Sequence, residues 1–187
     1  MKDLSKTEIK LIEDIKLSAP SKAQIKSLIK LFQNPENIDF VGEYTDWPYN
    51  PNLEEKIKEW IQQSEQGKFI FFIILVKNKI AGTCRILDIN YEDKKATLGY
   101  ILLKQYTRQG IATSCIKALL ELCFYELKLN KVLLEIDARN RPSIKLEKKL
   151  RFFHEGTLRQ DYTYHYKPSH ELSDWQIWSM LKSEYKS

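Results

Sequence analysis

The sequence predicts an α/β (α+β) fold, a mixed and mostly antiparallel sheet flanked by about four helices, and three stretches carry the prediction. Lys68 to Val76 and Ile80 to Ile89 are apolar, β-branched runs on either side of the polar turn Lys77-Asn78-Lys79, the pattern of a hairpin. Leu98 to Leu103 is a short apolar run that passes through a polar turn and opens at Gly110 into an amphipathic segment ending near Lys128, which reads as strand, tight loop and helix. Lys131 to Asp137 is a second such strand, and Asn140-Arg-Pro-Ser143 starts the helix that continues from Ile144 to Leu150.

The remaining elements follow in chain order. Residues 8 to 18 alternate partly between apolar and polar and fit a helix or an edge strand, the strand being favoured. Ser21 starts a helix whose Ile25, Leu28, Ile29 and Phe32 keep helical spacing, and Asn34-Pro35 stops it. Glu36 to Asn52 is too rich in Pro, Asn, Asp and aromatics to be regular, and a loop of this length is commonly functional or disordered. Leu53 to Gln63 is an amphipathic helix through Leu53, Ile57, Trp60 and Ile61. Tyr91 to Lys95 is a turn, and the central strand begins at about Ala96. Phe152 to Tyr166 reads as a strand, residues 167–170 as a turn, and Asp174 to Leu181 as a last strand. With no repeat, low-complexity tract or linker, residues 1–187 are expected to form a single domain.

Composition narrows the function classes. A content of 43% hydrophobic and 29% charged residues is that of an ordinary globular protein, and a net charge of +5 carried on scattered lysines does not call for a nucleic-acid partner. The longest apolar run, Phe69 to Val76, is too short to span a bilayer, and the Met1-Lys-Asp-Leu start lacks an apolar signal region, so a cytoplasmic protein with no membrane partner is expected. Cys84, Cys115 and Cys123 lack metal-ligand spacing and read as reduced core thiols; His165 and His170 flank a turn without further ligands, and no metal site is expected.

The helix opening at Gly110 has a chemistry of its own. The first N–H groups of a helix have no internal partner, and the helix dipole adds partial positive charge there, so phosphate is a natural guest. Gly110 lets a ligand approach the main chain, Ala112 keeps the next turn slim, Thr113 or Ser114 offers a hydroxyl, and Arg108 a full charge.

Together, these stretches resemble the GNAT superfamily of N-acetyltransferases, whose acetyl-CoA loop reads Gln/Arg-x-x-Gly-x-Gly/Ala. Gly110-Ile-Ala112 fits its second half, and Asn140-x-x-Ser143, Lys149-Leu-Arg-Phe152 and Glu155-Gly156 are similar to the Asn-x-x-Ser, Lys-Leu-Gly-Phe and Glu-Gly pattern of the ribosomal-protein, RimJ/RimL-like branch. The resemblance covers residues 68 to 160. Three positions depart from it: Thr107 stands in place of Gln or Arg, and Arg108 and Arg151 stand where glycines are usual.

The resemblance implies acetyl transfer from acetyl-CoA to a primary amine by direct attack in a ternary complex, with a protein N-terminal amine as the expected acceptor. A small amine such as an aminoglycoside or polyamine, and a non-catalytic acyl-CoA-binding module, are the alternatives. It implies that the strands at 96–103 and 131–137 run parallel and splay, with the pantetheine arm in the gap. Main-chain groups of Ile101, Leu102 and Leu103 would then meet the carbonyl, and the N–H groups of Arg108, Gln109, Gly110, Ile111, Ala112 and Thr113 the pyrophosphate. Asn140 is a good N-cap on its own and, by resemblance, also a pantetheine contact. Many members protonate the thiolate with a tyrosine seven residues after this asparagine; here that position is Glu147. Ser143, a plain helix-start residue in sequence terms, is by resemblance to the Rim-type branch the acid. Glu43 and Asp46, with Asp161 as a further carboxylate, are the candidate bases, and each also fits a solvated surface acid. Tyr44, Trp47, Tyr49, Tyr162 and Tyr164 are aromatics that fit either an acceptor pocket or plain packing. A monomer or homodimer is expected.

Overall fold

The computed structural model describes residues 8–12, 14–33, 52–66, 69–164 and 171–186. Its strands are β1 (Glu8–Ile12), β2 (Ile15–Ser18), β3 (Ile70–Val76), β4 (Lys79–Asn90), β5 (Lys95–Leu102), β6 (Lys131–Asp137), β7 (Phe153–Tyr164) and β8 (Glu171–Leu181), and its α-helices are α1 (Ile25–Gln33), α2 (Leu53–Glu65), α3 (Ile111–Glu121) and α4 (Arg141–Lys149). The strands form one sheet in the order β1-β2-β3-β4-β5-β6-β8-β7. Every pairing is antiparallel except β5 with β6.

Burial explains this order. Ile70 to Leu75 are buried without interruption, so β3 has helices over both faces, and each such side chain is worth about 2 kcal/mol. Phe71 and Ile73 join the core under α1 and α2, whereas Phe72 and Ile74 join the core under α3 and α4. The hairpin between β3 and β4 turns on Lys77 and Asn78, both at positive φ (49° and 60°), the two-residue turn that matches strand twist.

Several expectations are refined. The single stretch at 8–18 is a hairpin of two strands around Asp14, whose carbonyl accepts from the Lys77 N–H at 2.9 Å. The helix expected to run to Lys128 is α-helical to Glu121 and continues as a π-helical turn over Leu122–Glu126, closed by the Leu127 N–H on the Leu122 carbonyl at 2.9 Å. In that wider turn the consecutive residues Leu122, Cys123 and Phe124 are all buried.

The two arginines that stand where glycines are usual keep the glycine conformation. Arg108 has φ 60° and Arg151 has φ 66°. At the end of α4 the Phe152 N–H meets the Glu147 carbonyl at 3.0 Å and the Arg151 N–H meets that of Lys148 at 3.1 Å, a Schellman ending held by an arginine in the left-handed region. The bend survives the substitution at a cost of about 1–2 kcal/mol.

A glycine fixes the distance between β4 and β5. The β3–β4 register slips at Ala81, and the next residue, Gly82, lies so close to β5 that an added Cβ would sit 2.1 Å from the Ile101 carbonyl oxygen. The obstacle is backbone, so the strands themselves would have to part. Gly82→Ala is expected to lower unfolding free energy by about 1–3 kcal/mol in urea denaturation; a variant as stable as the parent would contradict this close approach.

Candidate active site

The parallel ladder between β5 and β6 is short. It pairs Lys95 with Lys131 through Leu98 with Leu134 and stops there, although β5 runs on to Leu102 and β6 to Asp137. Beyond Leu98, β5 stays on β4 while β6 stays on β8, so a gap opens at the C-terminal ends of the two parallel strands. Main-chain direction alternates along a strand, which decides what faces the gap. The Leu103 N–H is donated to the Ala81 carbonyl at 2.8 Å and the Ile101 carbonyl points at Gly82. Those two residues face β4, a correction to the expectation that 101–103 all present main chain to the gap. The residues between and before them, Leu102 and Tyr100, turn theirs toward β6.

At the mouth of this gap the chain passes through a 3₁₀ turn at Lys104–Tyr106 and enters α3 at Gly110, whose φ of 79° is open to glycine and costly for other residues. Among the described residues no side chain caps α3, and no acid lies in its first turn. The first intrahelical bond, Ser114 N–H to the Gly110 carbonyl, is 3.0 Å, so the N–H groups of Ile111, Ala112 and Thr113 precede the ladder of the helix. Arg108, Gln109 and Gly110 are exposed around them, and a Cβ at Gly110 would meet no atom within 4 Å. The result is an accessible, positively polarised helix end.

The second helix start lies across the gap. Asn140 caps α4, its Oδ1 accepting the Ser143 N–H at 3.2 Å, so the cap read from the sequence is formed. Tyr100, from the part of β5 that has left β6, places its Oη 3.0 Å from Ser143 Oγ and 3.4 Å from Glu147 Oε1. Glu147 is 0% exposed, and among the described residues its Oε2 has no hydrogen-bond partner. Burial raises its carboxyl from the ordinary 4.5 to about 8, against a smaller lowering by the hydrogen bond with Tyr100. Burial first, and Glu147 second, also push the Tyr100 phenol well above its usual range. At neutral pH this is an uncharged chain of three oxygen-bearing side chains beside the gap.

Comparison with known proteins places this fold in a family. The sequence profile of a family described as acetyltransferase (GNAT) domain fits residues 14–152. The chain belongs to this family. It is an N-acetyltransferase of the GNAT type. The uncharacterised N-acetyltransferase p20 of Bacillus licheniformis is 36% identical over 124 residues, 65% of this chain and 67% of that protein. RimL, a ribosomal L7/L12 α-N-protein acetyltransferase in complex with coenzyme A, superposes with a TM-score of 0.83 at 18% identity, over 94% of this chain and 98% of its own. A spermidine N-acetyltransferase from Vibrio cholerae, in complex with CoA and spermine, gives 0.79 at 19%, over 92% and 98%. At these identities the two structures share the fold.

Other residues singled out in this GNAT chain fall into place unevenly. Glu43, Asp46, Tyr44, Trp47, Tyr49, His165 and His170 lie outside the described residues. Asp161 is exposed on β7, and the Tyr162 ring packs tilted against Trp175 at 5.3 Å. The three cysteines are free and buried. Burial pushes the Cys84 thiol well up, with Cys115 adding to it, and raises Cys123 to about 12, the opposite of what a nucleophilic thiolate needs. Among the described residues no cluster of His, Cys, Asp and Glu fits a metal, and no helix is long and apolar enough to cross a membrane.

Sequence reading missed the partnership of Tyr100 with Glu147. It also missed Arg85, which is 2% exposed on the α1 and α2 face, with its Nε and Nη2 3.7 Å from where a Cβ on Gly99 would lie. An arginine inside an apolar strand was the available signal.

The Glu147 carboxyl links pH to stability. The unfolded chain releases this proton near 4.5 and the folded chain holds it to about 8. The contribution is therefore complete below 4.5 and is lost as pH rises through about 8. Glu147→Leu removes the buried carboxyl, so its melting temperature should exceed that of the parent by a margin that widens as pH rises through this window. A constant margin in thermal unfolding would show that the carboxyl does not titrate this way.

Proposed function

We propose that the chain transfers the acetyl group of acetyl-CoA to the α-amine of a protein or peptide N-terminus in the cytoplasm, as the RimJ/RimL-like branch does. The observation that carries the reading is the opened β5–β6 gap with the bare α3 end at its mouth and Ser143 across it.

In this reading, the N–H groups from Arg108 to Thr113 receive the pyrophosphate, and the Arg108 side chain adds charge. An end without a cap or an acid fits such an anion, whereas a carboxylate in the first turn would have repelled it. The gap-facing main chain of Leu102 and Tyr100 supports the pantetheine arm and polarises the carbonyl. Asn140 spends its Oδ1 on the cap, which leaves its amide N–H₂ as the group that meets the arm. Ser143, its backbone fixed by Asn140, gives the hydroxyl proton to the departing sulfur. Glu43 or Asp46, directly or through water, takes the proton of the acceptor amine.

An α-amine, with a pKa near about 8, is already partly neutral and needs less help than a lysine near about 10.4. The net charge of +5 opposes a polycationic acceptor at long range, which favours a peptide over a polyamine. Three free cysteines suit a reducing compartment.

Two measurements test this. Gly110→Glu places a charge and a side chain at the helix end and should weaken acetyl-CoA binding in calorimetry on the order of 100-fold, about 2.7 kcal/mol, with unchanged circular dichroism; equal affinity would reject the site. A coenzyme A release assay should show turnover with a free-amino peptide, none with its N-blocked form, and a lower kcat/KM with spermidine. The reverse order would assign a polyamine, and binding without turnover across the panel would assign a non-catalytic module.

A further inference from the structure

We infer that Glu147 is the store of the proton that the departing coenzyme A sulfur takes up, and that this proton passes through Tyr100 and Ser143. The inference rests on acetyl transfer at this gap and adds the source of the proton to it.

Ser143 and Glu147 stand one helical turn apart on α4, and Tyr100 reaches both from β5, with Oη 3.0 Å from the hydroxyl and 3.4 Å from the carboxyl. Tyr100 Oη can donate to either neighbour, to a Glu147 carboxylate or to Ser143 Oγ, and protonation of Glu147 turns the phenol hydrogen toward Ser143. A neutral carboxyl has one O–H, and Tyr100 Oη is the partner within its reach. Accepting that bond leaves the phenol hydrogen for Ser143 Oγ, and accepting that one leaves the serine hydrogen for the gap. The chain thus runs carboxyl, phenol, hydroxyl, open end.

The surroundings keep the carboxyl loaded. Glu147 is fully buried, and among the described residues no cation pairs with it. From β5 the titratable group facing it is Tyr100, which burial holds neutral. On its own helix Lys145, Lys148 and Lys149 are exposed. The titratable group of α3 in the shared core is the Cys115 thiol, and Asp137 at the end of β6 is engaged by Arg139 at 2.8 Å. Burial then puts the carboxyl at about 8, within reach of neutral pH in both directions. The phenol, held far higher, conducts a proton and does not supply one. A side chain serving the fold alone would be apolar here, since the unpartnered Oε2 costs stability.

The step balances. The acceptor nitrogen forms a bond to the carbonyl carbon and loses its surplus proton to base and solvent. The C–S bond breaks, and its electron pair stays on sulfur. Sulfur takes the Ser143 proton, Ser143 takes that of Tyr100, and Tyr100 takes that of Glu147, which is left as a carboxylate. Solvent reprotonates it when coenzyme A leaves.

The test compares the parent with Glu147→Gln and Glu147→Leu. Glutamine keeps a donor against Tyr100 and lacks a transferable proton. With acetyl-CoA and a short free-amino peptide, the parent kcat should decline above about pH 8, and Glu147→Gln should lower kcat by about 100-fold, erase that decline, and leave the acetyl-CoA KM within about two-fold. Glu147→Leu should match it while melting higher. Parent-like kcat in either variant, or loss of kcat and KM together in both, would overturn the inference and leave Glu147 a packing residue. A second readout needs no turnover. The infrared difference between parent and Glu147→Gln at pH 7 should contain the carbonyl band of a protonated carboxyl, and its absence would also overturn the inference. If the parent acetylates neither the peptide nor spermidine, the acetyl-transfer reading fails, and the infrared band still decides whether Glu147 holds a proton.

Discussion

The end of the parallel ladder at Leu98 and Leu134 is the constraint on which the rest of this structure depends. A strand edge inside a sheet normally has its hydrogen-bonding groups satisfied by its neighbours, and one that parts from its partner leaves them for something else. Here β5 is held to β4, closely enough that Gly82 has no room for a Cβ, while β6 is held to β8 through its whole length. Each strand follows the neighbour on its outer side, so the separation lies in the pairing of the sheet. Two helix starts flank the opening, one bare at Gly110 and one capped at Asn140. The bare end leaves its first N–H groups open, and the cap at Asn140 holds the backbone of Ser143.

Polar groups in the interior follow the same division. Asp137 is tied down by Arg139 and Ser173, which fixes the end of β6 just before Asn140. Among the described residues Glu147 has no such clamp, and burial raises its carboxyl to about 8 instead. A buried carboxyl without a cation weakens the fold.

Much of this was legible in the sequence because it is local. Periodicity found the β3–β4 hairpin, the helix after Gly110 and the strand and helix from Lys131 to Leu150, and the short-range signal of Asn140 before Arg-Pro-Ser gave the cap that the structure forms. What was not legible depends on neighbours distant in sequence or on small angular choices. The hairpin at 8–18 read as one strand because a tight turn at Asp14 needs neither Gly nor Pro. The π-helical turn at Leu122–Glu126 keeps a helical composition. Leu103 could not be seen to face β4 until the register with Ala81 was known. Tyr100 and Glu147 are 47 residues apart, and an alternating tyrosine in a strand gives no sign of the acid it will meet. Arg108 and Arg151 show the converse, since a pattern written with glycine is met by arginines that adopt the glycine angle.

The most direct test is the crystal structure of this chain with coenzyme A bound. The account predicts the diphosphate on the N–H groups of Ile111 to Thr113 and the sulfur within hydrogen-bonding distance of Ser143 Oγ, with β5 and β6 parted beyond Leu98 as they are here. Coenzyme A lodged elsewhere, or its sulfur directed away from Ser143, would contradict it.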